Sequence, residues 1–227
     1  MNYNNIKSAV FISRPNRFIA NVEVDGKTEV CHVKNTGRCK ELLIHGAKVY
    51  VEKSENPQRK TKYDLISVYK GDNLINIDSQ APNKVFYEWA TESGFFGEIA
   101  YIKPEYKYKN SRFDCYIETK TKKILVEVKG VTLENDGVAM FPDAPTQRGV
   151  KHVKELMEAI DDGFDAYVFF VVQMSYPYCF TPNRSTHKEF AEVLSKAKKH
   201  GVNVKALSCI VTENTLQADS FIETVID

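Results

Sequence analysis

Residues 112–129 read RFDCYIETKTKKILVEVK. Polar and apolar side chains alternate in the first seven of these residues and again in the last seven, which is typical of two half-buried β-strands. The polar residues 119–122 between them predict the turn of a hairpin. With antiparallel pairing and an even-numbered loop, Asp114 lies directly opposite Glu127, and Lys129 follows on the same face. The stretch therefore predicts one sheet face that carries two carboxylates and a lysine.

The predicted carboxylate pair suits a divalent cation. Opposed residues have Cβ atoms only about 4.5 to 5.5 Å apart, so two negative charges in these positions repel each other. Mg²⁺ or Mn²⁺ offsets this repulsion by binding Asp114, Glu127 and the backbone carbonyl of Val128, with water and phosphate in the remaining positions. Lys129 is expected to orient the attacking water. Asp114, Glu127 and Lys129 are thus the predicted catalytic residues of a phosphodiesterase. In isolation, a solvated hairpin face would be the favoured interpretation of the same three residues, because charged side chains usually lie in water.

A second segment carries a family resemblance. Residues 141–156 read FPDAPTQRGVKHVKEL, which resembles the sugar fermentation stimulation protein family in its Pro-Asp-Ala, Thr-X-Arg-Gly and His-X-X-Glu-Leu elements. Residues 35–43 (NTGRCKELL), the pair Arg17-Phe18 and the triplet Ala81-Pro82-Asn83 also fit that family. The resemblance therefore covers essentially the whole chain.

The resemblance implies an N-terminal OB-like β-barrel, followed by a PD-(D/E)XK nuclease-like mixed sheet flanked by helices, with DNA as the partner. By position, Asp114, Glu127 and Lys129 match the nuclease core. Glu88 matches a glutamate on the preceding helix, and we assign it a supporting or metal-linked role. Gln147 stands where some relatives carry a glutamate, and a supporting role is expected for it as well.

Strand patterns dominate the first third of the chain. Five short strands and one brief helical turn suit a small closed barrel, and periodicity alone leaves OB-like and SH3-like barrels open. The polar, proline-containing residues 79–82 mark a junction, which predicts domains 1–80 and 81–227. The predicted strands cover residues 18–24, 28–34, 48–52, 63–69 and 74–78, and the helical turn covers residues 40–45.

Helices and buried strands alternate in the second domain. A helix is predicted over residues 83–92, and a nearly continuous apolar run over 165–174 predicts a central strand covered on both faces. A helix over 188–200 and a strand over 202–210 complete an α/β layer arrangement. A further helix has Val150, Val153, Met157 and Ile160 at helical spacing on its inner face.

The other face of that helix is predicted to bind substrate. Helix N-termini favour anions such as phosphate, so Gln147, Arg148, Lys151 and His152 are expected to face DNA. Arg38, from the family-like residues near the N-terminus, joins this set. An isolated histidine at position 152 would instead be a tolerated surface residue.

Composition sets the outer limits. The chain has 227 residues and a net charge of +1, so DNA binding must depend on local basic patches. Two candidates are residues 101–109, which interleave lysines with tyrosines, and residues 59–62, although strand lysines are more often simply solvated. Five cysteines without a Cys-X-X-Cys pair favour neither disulfides nor zinc. The start lacks a signal peptide's apolar stretch, and no segment has the roughly 18 apolar residues of a membrane span, so a cytoplasmic location is expected.

Two function classes follow. The leading hypothesis is a DNA-binding protein with a nuclease site that depends on Mg²⁺ or Mn²⁺. The competing hypothesis is a noncatalytic DNA-binding regulator of sugar-utilisation genes that retains a nuclease fold. The intact set of Asp114, Glu127 and Lys129 favours the enzyme, because binding alone does not require that lysine. Cleavage of RNA or nucleotides stays open, since a fold does not settle an activity.

Overall fold

The N-terminal part of the chain forms a closed barrel. The computed structural model describes residues 1–35 and 37–227, so Thr36 of the family-like segment lies outside the described residues. The first sheet consists of β1 (Ile6–Asn16), β2 (Ile19–Val24), β3 (Lys27–Val33), β4 (Lys48–Lys53), β5 (Tyr63–Lys70) and β6 (Asn73–Asn76). Their order is β3-β2-β1-β4-β5-β6, and parallel pairing of β3 with β5 closes the first five strands into an OB-like barrel. The barrel predicted from the sequence is confirmed.

Two details of the barrel prediction are wrong. The sequence analysis missed β1, whose polar residues hide a weak apolar pattern, since only Ala9 and Phe11 in it are buried. The predicted helical turn over residues 40–45 is a series of turns instead. It contains one helix-like bond, from the Leu43 backbone N to the Cys39 carbonyl at 2.9 Å.

The second part of the chain is a mixed nine-stranded sheet with helices on both faces. Its strands are β7 (Ile99–Tyr108), β8 (Ser111–Thr119), β9 (Lys123–Val131), β10 (Leu133–Asn135), β11 (Val138–Phe141), β12 (Asp165–Val172), β13 (Cys179–Pro182), β14 (Asn203–Val211) and β15 (Leu216–Thr224). The helices are α1 (Ala81–Glu92), α2 (Gln147–Asp161) and α3 (Lys188–His200). The strand order is β10-β11-β13-β15-β14-β12-β9-β8-β7.

The centre of this sheet is buried from both sides. In β12, Val168 and Phe170 pack on the side of α2 and α3, whereas Phe169 and Val171 pack on the side of α1. Full burial on two faces explains the continuous apolar run, because neither set of alternating side chains meets water. All five cysteines are buried free thiols. In the described part of the chain, no helix is both long enough and apolar enough to cross a membrane.

A polar junction joins the barrel to the sheet. The side-chain amide of Gln173, just after β12, donates to Asn76 Oδ1 at 2.8 Å and to the Asp78 carbonyl at 3.0 Å. The Arg38 backbone N–H donates to the Asp143 carboxylate at 3.0 Å. The two Gln173 bonds are buried and the Arg38 bond is exposed, and together they hold the barrel against the residues that follow β12 and β11. The predicted boundary after residue 80 stays a prediction.

Candidate active site

The β8–β9 hairpin brings the predicted carboxylates together. Its register pairs Cys115 with Val126, so the predicted register is confirmed, and Asp114 and Glu127 are the next residues outward. The ladder ends at that pair, and β8 changes face there. Phe113 packs on the α2 side beside His152, whereas Cys115 packs on the α1 side. The strict alternation predicted for β8 is therefore wrong at Asp114, where the strands diverge and open a gap.

Asp114 occupies this gap and is held by two donors. Its Oδ2 accepts a bond from the Val128 backbone N–H at 2.8 Å, and its Oδ1 accepts one from the Asn83 side-chain amide at 2.8 Å. Loss of hydration, followed by the nearby charge of Glu127, raises the pKa of Asp114 to about 6. The carboxylate is therefore oriented by hydrogen bonds, but its negative charge is disfavoured in the protein without a bound cation.

Glu127 is a buried carboxylate with one free oxygen. The residue is only 1 % exposed. Its Oε1 accepts bonds from the Lys129 ammonium and from His152 Nδ1, the latter at 2.6 Å, while Oε2 has no hydrogen-bond partner in residues 1–35 and 37–227. Burial favours the neutral acid, yet the Lys129 charge and the His152 bond outweigh it and keep the pKa of Glu127 below its ordinary value. Glu127 is thus an anion with an unused acceptor atom.

These donors fit a hard divalent cation. Within residues 1–35 and 37–227, no group of three or more His, Cys, Asp or Glu side chains is arranged to hold a metal ion. Asp114, Glu127 and the Val128 carbonyl are the groups at this hairpin that could hold such an ion. That carbonyl faces the same gap as the Val128 N–H, because both groups of one strand residue point to the same side. One or two carboxylates suit Mg²⁺, which keeps several water ligands.

The structure places His152 beneath the carboxylates rather than facing DNA. It is 4 % exposed and donates from Nδ1 to Glu127, which leaves Nε2 as an acceptor for the Arg148 side chain at 3.4 Å. The expected substrate-facing position of His152 is therefore wrong. Helical spacing did not reveal its burial, because the partner, Glu127, comes from a strand 25 residues earlier. Arg148 itself is exposed above the pair.

Three other predicted site residues lie apart from the carboxylates. The Gln147 amide contacts His187 at 3.4 Å and Glu189 at 3.2 Å, and so ties α2 to the start of α3. Lys151 is exposed and pairs with Glu155 at 3.7 Å. Glu88 pairs with the Met1 nitrogen at 2.7 Å, on a face of α1 turned away from Asp114.

Asn83 is a site residue that the sequence analysis missed. It was recognised only as part of a family-like triplet, yet its amide is one of the two donors to Asp114. The available signal was helical spacing, since Asn83, Lys84 and Tyr87 form one polar face of α1. That face lines a cavity of about 550 Å³ whose opposite wall is Asp114 and its neighbours.

Arg38 lies in a basic groove on the barrel. The groove has a volume of about 440 Å³ and is lined by Arg14, Arg17, Arg38 and Lys40. The guanidinium of Arg14 binds backbone carbonyls, including that of Arg38 at 2.7 Å, and so shapes the loop. The other three cations have no ion pair among the described residues. By contrast, two of the three cations in residues 59–62 are paired, Arg59 with Asp64 at 2.6 and 2.8 Å and Lys62 with Glu29 at 2.9 Å.

The groove on the barrel adjoins the cavity beside Asp114 through a cleft at the domain junction. Gly37 lines both the basic groove and a cleft of about 180 Å³ at the domain junction, beside Gly130. Ser79 lines both that cleft and the cavity beside Asp114. Three depressions that share lining residues therefore extend from the barrel cations, across the junction, to Asp114. We call this path the trough.

Comparison with known proteins identifies both parts of the chain. Residues 12–77 match the SfsA N-terminal OB domain, and residues 80–215 match the sugar fermentation stimulation protein RE domain. A sugar fermentation stimulation protein homolog of Clostridium beijerinckii is 57 % identical over 226 residues, covering 100 % of both chains. A homolog of Ruminiclostridium cellulolyticum is 57 % identical over 223 residues, covering 98 % of this chain and 99 % of its own.

A solved structure agrees with these matches. It is described as Pyrococcus furiosus SfsA in complex with Ca²⁺, and it superposes with a TM-score of 0.90 at 27 % identity. The match covers 99 % of this chain and 98 % of the archaeal one. The combination of an OB domain with a nuclease-like domain supports a DNA-binding role. On these matches, the chain belongs to the sugar fermentation stimulation protein family.

Proposed function

We propose that this protein binds DNA and hydrolyses phosphodiester bonds at Asp114, Glu127 and Lys129 with Mg²⁺ or Mn²⁺. One observation carries the proposal: the Oε2 atom of the ionised, buried Glu127 has no hydrogen-bond partner among the residues that the structure describes. Leaving such an acceptor unpaired costs free energy, which a cation between Glu127 and Asp114 would recover. The Ca²⁺ complex of the archaeal relative supports an oxygen-bound divalent ion in this fold.

The residues around Asp114 and Glu127 orient the carboxylate oxygens for binding a cation. Asn83 and the Val128 N–H fix the Asp114 oxygens, while His152 fixes Glu127 and leaves Oε2 free. The bound cation would supply charge stabilisation at the phosphoryl oxygen and lower the pKa of a water ligand. The side chain of Lys129 is only 16 % exposed, so its ammonium lies in a site largely shielded from bulk water. It is positioned to orient the attacking water and to balance negative charge developing on phosphate.

The trough supports a route for the DNA backbone. Arg17, Arg38 and Lys40 form its positive end, and Asp114 lines its other end. Localising the cations in one groove explains how a chain of net charge +1 attracts a polyanion. An exposed ring, Phe18, lies under the Arg17 guanidinium at 4.7 Å and offers a stacking surface to a base.

The proposal is tested by cleavage and binding assays on the same substrates. Labelled single- and double-stranded DNA are incubated with wild type and Lys129→Met, in Mg²⁺, Mn²⁺ or chelator. We expect cleavage by the wild type that requires the metal, and a loss of about a hundredfold or more in the variant. Binding, measured by anisotropy in chelator, is expected to persist because the variant leaves the barrel cations Arg17, Arg38 and Lys40 unchanged.

Lys123→Met is the matched control, since Lys123 lies on the same strand but is exposed at the hairpin end. It is expected to cleave like the wild type. Binding by the wild type without cleavage under any metal condition would refute the nuclease and favour a noncatalytic regulator. Equal cleavage by wild type and Lys129→Met would leave an enzyme but remove Lys129 from its mechanism.

A further inference from the structure

The cavity beside Asp114 has features that the catalytic set does not use. Its volume of about 550 Å³ falls in the range of about 300 to 1,000 Å³ typical of small-molecule sites. One wall comes from α1 through Asn83, Lys84 and Tyr87, and the opposite wall includes Pro104 and Cys115. The cavity is therefore a slot with a partly apolar lining whose end is a predicted metal ligand.

Tyr87 differs from the other aromatic residues of α1. Phe86 and Trp89 pack together and against Phe169 in the core, with ring centroids between 4.8 and 6.0 Å apart. Among the described residues, the Tyr87 ring pairs with no other aromatic ring. Its hydroxyl also has no hydrogen-bond partner there. Tyr87 is partly buried, packs against the core cluster that contains Val85 and Phe86, and lines the cavity together with Pro104.

The charges around the slot suit a nucleotide. Lys84 lies one helical turn before Tyr87, is exposed, and has no ion pair within the described part of the chain. Glu105 also borders the slot, but its carboxylate is paired with Arg112 at 2.6 Å. The remaining charges are the Asp114 carboxylate at the end of the slot and the Lys84 ammonium at its rim. A phosphate near Lys84 places the attached base between the Tyr87 and Pro104 walls.

We propose that this slot holds the base of one unpaired nucleotide next to the scissile phosphate, stacked on Tyr87. The inference rests on the proposed function, because a nucleotide base is expected in the slot only if the adjacent residues cleave DNA. A base inside a duplex is stacked and paired on its own strand, so it enters such a slot only from single-stranded DNA or after flipping out. The substrate class is therefore DNA with at least one unpaired nucleotide at the cleavage position.

The test removes the base, the tyrosine ring, or both, and compares the four cleavage rates. A single abasic position is moved stepwise along a labelled single-stranded oligonucleotide, and each substrate is cleaved by wild type and by Tyr87→Ala. Stacking contributes a factor of about 5 to 150 per base. We expect the wild type to lose about that factor at one position relative to the cut. Tyr87→Ala is expected to cleave the intact and the abasic substrate at the same rate. That rate should equal the rate at which the wild type cleaves the abasic substrate.

Tyr87→Phe, which keeps the ring, is expected to retain the preference for a base, and Tyr178→Ala, which removes a tyrosine that is 64 % exposed elsewhere, is expected to match the wild type. The equal abasic rates also show that Tyr87→Ala is folded. Wild-type cleavage that ignores the abasic position overturns the slot while leaving the nuclease intact. Absence of wild-type cleavage on every substrate overturns the proposed function itself.

Discussion

Replacing Asp114 with asparagine should stabilise the metal-free protein, although Asp114 is assigned to the reactive site. The substitution removes the charge but keeps the shape. The new side-chain carbonyl can accept from the Val128 N–H, and the new amide can donate to Asn83 once the Asn83 amide turns over. What disappears is the burial cost of a carboxylate and its repulsion by Glu127, which together raise the pKa of Asp114 from 3.8 to about 6.

The magnitude follows from that shift. A carboxyl with a raised pKa favours the folded state when it is protonated, and this advantage is lost as pH rises through the folded pKa. The wild type therefore loses stability between pH 3.8 and about 6, and the variant does not. Each unit corresponds to about 1.4 kcal/mol, and discounting for the partial exposure of Asp114 gives about 1 to 2 kcal/mol at neutral pH.

Urea denaturation at several pH values, in chelator and in Mg²⁺, measures this effect. In chelator we expect Asp114→Asn to exceed the wild type above about pH 6, with the difference vanishing near pH 4. In Mg²⁺ the order should reverse, because a ligand at a hundred times its Kd adds about 2.7 kcal/mol to the wild type alone. Asp136→Asn, in an exposed turn, is the control, and its free energy of unfolding should equal that of the wild type both in chelator and in Mg²⁺. A less stable Asp114→Asn in chelator, or an equal gain from Mg²⁺ in both proteins, would refute the reasoning.

Three further outcomes are expected elsewhere in the chain. Gly37→Ala should lower the free energy of unfolding by about 1 to 3 kcal/mol in urea melts, because its Cβ would come 2.2 Å from Asp143 Oδ2. Burial opposes ionisation of Asp64, but the hydrogen bond from Arg59 and the charge of Lys34 outweigh it and hold the pKa of Asp64 below 3.8. The ionised carboxylate therefore stabilises the folded protein above pH 3.8, and this contribution is lost as the pH falls through the folded pKa. Asp64→Asn should therefore destabilise the protein at neutral pH and flatten the acid limb of its stability curve. Arg38→Ala should weaken DNA binding equally across sequences and reduce the slope of log affinity against log salt by about 1, as measured by anisotropy titration.

The parts of the site that were predictable are local in the sequence. The pairing of Asp114 with Glu127 follows from alternation and loop length within a single hairpin, so the register could be read from residues 112–129. The continuous apolar run of β12 likewise revealed a strand covered on both faces. Both patterns report burial of neighbouring residues, which is the information that a periodicity carries.

The parts that were missed depend on contacts between distant segments. His152 has the polarity of a surface residue, and it is buried only because Glu127 accepts its hydrogen bond. Asn83 reaches Asp114 from a helix 31 residues earlier. Strand β1 (Ile6–Asn16) has few buried residues, so its own sequence gives only a weak strand pattern. Its antiparallel hydrogen bonds to β4 (Lys48–Lys53) define it as a strand. Periodicity describes one face of one element and contains no information about which element covers it.

The hairpin register has a consequence for how this chain can diverge. Lys120 and Lys122 in the connecting loop form exposed pairs with Glu98 and Asp165, and such pairs contribute little to stability. Their identities are therefore free to drift. A change of loop length that shifted the pairing by one residue would instead move Asp114 out of its position opposite Glu127. The loop thus tolerates substitutions, whereas a change of its length is compatible with the site only where the register of the two strands is kept.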